Sequence, residues 1–204
     1  MSALDSYFTI KKMVTADLTV KASKFIAHAA PSGNRESAEN FIADISHKYH
    51  DATHHCFAYQ IGVGDQAKFR FSDAGEPSGT AGRPILQVIE SKNLTNVVVV
   101  VTRYFGGTKL GTGGLIRAYH AAALSALNGA EVVEHVPKTT LELRFPYALG
   151  NAVHQVLHKF SGQTLLSRFE IDSIYTVEIA AVNELEFVEE LRNVCRDKIA
   201  IEKI

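Results

Sequence analysis

The sequence predicts an α+β protein of two domains, a layered α/β domain followed by a smaller antiparallel sheet carrying two helices. Three observations lead there. Residues 97–101 are five consecutive valines that run into the glycine-rich stretch 106–114 and then into an apolar helical pattern. Such a run stays dry only if both its faces are covered, as in an interior strand between helical layers. His135-Val136-Pro137 interrupts the pattern and reads as a linker, and six segments after it follow the order β-α-β-β-α-β. The 204 residues suffice for two small cores, placed at 1–135 and 136–204.

In the first domain, residues 7–14 and 18–22 suggest a hairpin, followed by a strand at 25–29. Ala38, Phe41, Ile42, Ile45 and Tyr49 repeat at helical spacing behind a cap near Asn34. Residues 54–61 and 68–72 read as a strand pair, and 73–82 as a ten-residue loop. Pro84 suits the first turn of a short apolar helix carrying Ile85, Leu86, Val88 and Ile89. The valine strand and a helix at 115–128 complete the layer.

In the second domain, 139–145 alternates as a half-buried strand that Pro146 ends. Residues 147–160 carry Leu149, Val153, Val156, Leu157 and Phe160 at helical spacing, with Gly162 as the stop. Strands at 164–170 and 174–180 meet at a turn. Asn183 is placed to cap a helix, with Glu186 in the capping-box position, and 199–204 closes the chain as a strand. This order is that of a ferredoxin-like βαββαβ sandwich.

No segment approaches the roughly 20 apolar residues that span a bilayer. The start Met1-Ser2-Ala3-Leu4-Asp5-Ser6-Tyr7 lacks the features of a secretory signal, so a cytoplasmic location is expected. In that reducing setting Cys56 and Cys195 are expected as free thiols. A net charge of −1 excludes a strongly basic nucleic-acid binder at whole-chain level. Lys and Arg number 13 against 12 Asp and Glu before Val136, and 8 against 10 from there on. The mild positive bias therefore lies in the glycine-rich half.

Function concentrates where the valine strand surfaces. Gly106, Gly107, Gly111, Gly113 and Gly114 let a ligand or a second chain approach the backbone closely. The following helix start, flanked by Arg103, Lys109 and Arg117, suits a phosphate or carboxylate. The alternative is that these glycines serve tight turns and close packing. The stretch matches neither G-x-x-x-x-G-K-[ST] nor G-x-G-x-x-G, because Ile116 stands at the last glycine of the latter. The second loop offers Asp73 and Glu76 beside Arg83, a carboxylate pair competent for acid/base work or a hard cation but more often simply solvated. His50, His54, His55 and Cys56 invite a metal, yet on a strand His54 and Cys56 share one face and His55 takes the other, so a zinc set does not converge. Tyr104, Phe105 and Tyr119 bracket the glycine loop, and Phe69 and Phe71 lie on the preceding strand pair. Aromatics interleaved with Arg can stack on unpaired bases, although Phe105 is read as core.

On His54-His55-Cys56, on 71–84 with Asp73, Glu76, Pro77, Gly79, Gly82 and Arg83, and on Arg103-Tyr104-Phe105-Gly106-Gly107 through Gly114, the chain resembles the IMPACT family in its two-domain bacterial form. Ala74 stands where many relatives have a second acidic residue, which weakens a carboxylate-cluster mechanism. The resemblance implies a ribosomal protein S5 domain 2-like fold for 1–135, and for 136–204 a ferredoxin-like domain similar to the last domain of elongation factor G. Eukaryotic relatives regulate translation by interfering, through a partner, with activation of the amino-acid-sensing kinase of initiation factor 2. Bacteria lack that pathway, so a translation-linked binding role is what transfers.

The expectation is therefore a non-catalytic regulator or factor that binds RNA or the ribosome through Arg103, Tyr104, Lys109, Arg117 and the backbone of 106–114, with Arg83 flanking. An enzyme acting on a phosphorylated small molecule or nucleotide at the same loop is the first alternative. The other is a protein-interaction module that docks its partner through the second domain. No metal, cofactor or membrane is implied, and the oligomeric state stays open.

Overall fold

The computed structural model describes residues 6–64 and 67–204, which form two compact units, 7–135 and, grouped with Ser6, 136–204. Residues 1–5, on which the expected lack of a secretory signal and the first domain's limit at residue 1 rest, lie outside the described residues. Among those residues no helix is long and apolar enough to cross a membrane.

The first unit runs β1 (Tyr7–Ile10), β2 (Val14–Val20), β3 (Ser23–Pro31), α1 (Arg35–Lys48), β4 (His54–Ile61), β5 (Lys68–Ser72), α2 (Gly82–Ser91), β6 (Val97–Tyr104), α3 (Thr112–Asn128) and β7 (Val132–His135). Five strands form one sheet in the order β2-β3-β6-β4-β5, every neighbouring pair antiparallel. The valines of β6 occupy its centre and are 0% exposed. Strand alternation divides them. Val97, Val99 and Val101 pack with Ile85, Leu86, Tyr119 and Ala122 of α2 and α3, whereas Val98 and Val100 pack with Ala38 and Ile45 of α1. The sheet is thus covered on both faces, as five apolar residues in a row require.

Two expectations in this unit need correction. The early hairpin is not 7–14 with 18–22, because β1 pairs with β7 and the hairpin joins β2 to β3. Its two-residue turn, Lys21 and Ala22, has φ of 45° and 64°. Such a turn normally announces itself with Gly or Asn, and Lys-Ala carries neither signal. Helix α3 begins at Thr112 rather than Leu115, so Gly113 and Gly114 lie in its first turn and not in the loop.

The second unit runs β8 (Lys138–Phe145), α4 (Gly150–Lys159), β9 (Gln163–Phe169), β10 (Ser173–Ala180), α5 (Glu184–Cys195) and β11 (Ala200–Lys203), with an antiparallel sheet in the order β11-β8-β10-β9. Leu141, Leu143 and Val177 bury one sheet face against Val153 and Leu157 of α4 and Phe187 and Leu191 of α5. Asn183 does not cap α5 with its side chain. It continues a preceding 3₁₀ turn at φ −90°, ψ 0°, outside the extended conformation from which a cap reaches forward.

Candidate functional site

The residues singled out from the sequence separate into a buried cluster and an exposed one. Arg103, one residue before the end of β6, lies on the face that carries α2 and α3, paired in register with His54 of β4 and Phe25 of β3. It is 5% exposed, so its expected place on a contact surface does not hold. Its Nη1 donates to Glu76 Oε1 at 2.6 Å and its Nη2 to Ser23 Oγ at 3.3 Å, and its guanidinium lies 5.5 Å from the ring centres of both Phe25 and Phe105. Phe105, read as core, is 47% exposed: it lies just past the end of β6, where its ring covers the buried Arg103 guanidinium from the outside. Glu76 Oε1 also accepts from the hydroxyl of Tyr119 at 2.7 Å. A guanidinium withdrawn from water holds its place only with such a partner, which explains why a loop glutamate is buried.

Cys56 joins this cluster, donating its Sγ–H to the carbonyl of Asp73 at 2.9 Å. Burial pushes its thiol up to about 12, and the nearby Glu76 and Asp73 charges act in the same direction. Burial, with Cys56 and Glu76 adjoining, also drives the Tyr119 phenol upward. Both groups stay protonated and serve as donors, so Cys56 is no ready nucleophile. His54 bonds Ala74 O through Nδ1 at 2.8 Å on the same face, while His55 meets Thr102 Oγ1 at 3.2 Å on the other. Among the described residues no three His, Cys, Asp or Glu side chains are placed to hold a metal ion.

Asp73 closes the N-terminus of α2 from eight to nine residues away in sequence. One carboxylate oxygen accepts from Ala81 N at 2.9 Å and Gly82 N at 2.8 Å, and the other from Gly79 N at 2.8 Å. Burial works to raise its carboxyl, but the N–H donors of Gly79, Gly82 and Ala81 outweigh it and hold the group below the usual carboxylate range. Gly82 is required because a Cβ there would stand 2.7 Å from the Ser72 nitrogen. Pro77 supplies the carbonyl that accepts from Thr80 Oγ1 at 2.7 Å. Arg83 is exposed on α2, 3.9 Å from Glu90.

The exposed cluster surrounds the start of α3. Its N-cap, Gly111, stands at φ 73° and no side chain among the described residues caps the helix. The first-turn amides of Thr112, Gly113 and Gly114 therefore lack the carboxylate that α2 has. Lys109 and Arg117 are exposed, and neither pairs with a carboxylate among the described residues. Arg117 reaches back along the first turn, its Nη1 3.6 Å from where a Cβ on Gly113 would sit. A cation beside the positive end of a helix is repelled by it, and an anion complements both.

Gly106 fixes this region to the β2–β3 turn: a Cβ on it would fall 2.1 Å from the carbonyl carbon of Ala22, and its N–H donates to Ser23 Oγ at 3.1 Å. That contact brings in Lys21, which lines one groove with Leu110, Gly114 and Arg117. The sequence reading missed Lys21, since only the tertiary approach at Gly106 places it there. Gly107, at φ 82°, is exposed in the loop. Tyr104 points to the opposite sheet face, where its hydroxyl donates to Asp51 at 2.8 Å, so it does not join these cations.

Comparison with known proteins agrees with these motifs. The Impact N-terminal domain family matches residues 21–127. The IMPACT family member YigZ of Escherichia coli is 30% identical over 97% of this chain and 98% of its own length. The IMPACT family member YvyE of Bacillus subtilis is 45% identical over 64% of this chain and 60% of its own. A crystal structure of a hypothetical protein superposes with a TM-score of 0.72 at 30% identity, covering 99% of this chain and 98% of that one. Half the chain matches the family's domain and nearly all of it aligns with YigZ: the chain belongs to the IMPACT family.

Proposed function

We propose that the protein is a non-catalytic, translation-linked factor that binds RNA or the ribosome in the cytoplasm through the start of α3. The observation that carries this reading is the uncapped α3 N-terminus set among Lys21, Lys109 and Arg117, cations without a carboxylate partner among the described residues. Phosphate is the anion that such a backbone-and-cation seat accepts. Family membership adds the translation link that the resemblance implies. The engagement of Asp73 and Glu76 in internal bonds, with Cys56 held as a thiol, favours binding over turnover at this end of the sheet. The fold reading belongs here too. The sheet order β11-β8-β10-β9 with two helices on one face supports a ferredoxin-like domain over 136–204. For 1–135 the S5 domain 2-like reading is what the family resemblance implies, and the Impact match over 21–127 supports that family.

The test is retention of ribosomal subunits and of single-stranded RNA across a salt series, wild type against Lys109→Ala/Arg117→Ala. The wild type is expected to bind in a salt-sensitive way. The double variant is expected to bind more weakly, its log K against log salt slope shallower by about 0.7 for each phosphate contact removed. Equal affinity and equal slope in both proteins would refute the α3 surface. Arg103→Ala is unsuitable as the probe because it empties a buried ion pair.

A further inference from the structure

Among the described residues strand β2 pairs on one side only, with β3, and forms an outer edge of the five-stranded sheet. Its seven residues include neither Pro nor Gly, and its register to β3 has no bulge. Regular uncovered edges are templates for another strand, which proteins usually blunt with such devices. The two-residue turn makes Val20 and Ser23 the closing pair. In an antiparallel ladder the alternate residues Thr15, Asp17 and Thr19 then turn their main-chain N–H and C=O groups away from β3. All three are exposed.

The side chains on the helix-bearing face of the same strand are left partly uncovered. Val14, Ala16, Leu18 and Val20 only flank the core that α3 and β6 complete. Between them and α3 runs a groove of about 290 Å3 whose lining includes Leu18, Val20, Leu110 and Ala121, with Lys21 and Arg117. The one carboxylate on β2, Asp17, is paired with Lys24 at 3.1 Å. The groove is therefore aliphatic in its walls and positive at its margin.

We propose that this edge and groove dock an extended acidic–aliphatic peptide segment of a partner protein. The segment would add a sixth strand to β2, place an aliphatic side chain against Leu18 and Ala121, and set carboxylates on Lys21 and Arg117. Main-chain pairing supplies the affinity in this mode and the alternate side chains supply the selectivity. An unpaired base fits poorly, since no aromatic ring lines the groove to stack on it. The proposal does not rest on RNA binding at the start of α3.

The experiment selects a displayed library of randomised octapeptides on the full-length protein and counter-selects it on Ala121→Glu, which puts a carboxylate into the groove. Enriched peptides are expected to carry aliphatic and acidic residues two positions apart, so that both face the α3 groove, and to protect the amides of Thr15, Asp17 and Thr19 from hydrogen exchange. A chosen peptide is expected to bind Thr19→Pro about tenfold more weakly, because only an outward N–H is removed. Melting curves verify that both variants fold. RNA retention by Thr19→Pro is expected to equal wild type, which separates this site from the phosphate seat. The proposal is overturned if no sequence survives counter-selection, if the survivors are basic or patternless, if Thr19→Pro binds as wild type, or if RNA rather than peptide protects the β2 amides.

Discussion

The loop at 73–81 leads into α2 and the loop at 105–111 leads into α3, yet the first helix end is filled by the protein's own Asp73 while the second stays open. Both loops are rich in glycine and both lie at the same end of the sheet, so their composition does not separate them. Where the free amides go does. In the first loop three N–H groups converge on one carboxylate, and Glu76 dips inward to hold Arg103 and Tyr119. In the second no acidic side chain among the described residues caps the helix, and Lys109 and Arg117 flank it. The acidic loop is a brace, and the glycine loop is the surface it braces.

The strongest way to break this contrast is Glu76→Ala, which leaves the Arg103 guanidinium buried without its partner. A loss of about 3–5 kcal/mol in urea unfolding is expected, and a loss below 1 kcal/mol would mean that the brace is dispensable. Next comes Gly106→Ala, whose new Cβ meets the Ala22 backbone. The expected cost is about 1–3 kcal/mol, and Gly107→Ala, which meets nothing within 4 Å, is expected to cost about 1 kcal/mol for its positive φ alone. Equal costs would remove the claim that Gly106 is there for close approach.

Asp73→Asn sharpens the contrast through pH. The folded carboxyl titrates below its unfolded value, so its contribution is present above the unfolded pKa and disappears as pH falls through the folded one. Wild type is expected to lose about 1–2 kcal/mol of stability below about pH 4 that the variant has already lost at neutral pH. Parallel stability curves for the two proteins down to the acid limit would count against the remote cap. The smallest effect is expected for Lys109→Ala/Arg117→Ala, within about 0.5 kcal/mol by the same unfolding assay. A large destabilisation there would show those cations to be structural.

Much of the architecture was legible because it rests on local periodicity. The five valines, the alternation in 139–145 and the helical spacing at 38–49 each demand a burial pattern that one geometry supplies. The order of elements after Pro137 followed from the same signals. The residues that misled were those whose roles depend on chain segments distant in sequence. Arg103 at a strand end looks like a surface cation until Glu76, 27 residues earlier, comes in to meet it. Asp73 looks solvated until α2 turns its amides toward it. Lys21 carried no signal, since only the space that Gly106 leaves empty brings the β2–β3 turn to the glycine loop.

The valine strand has one more consequence. A strand that is dry on both sides is a partition shared by two cores, and neither core can be opened without exposing the wall of the other. The α1 layer and the α2–α3 layer are thereby bound into one cooperative block, with the main-chain amides of 97–101 at its most protected depth. The glycine loop at 105–111 is hung from the end of this partition, so it can be remodelled by substitution while the frame that carries it holds still.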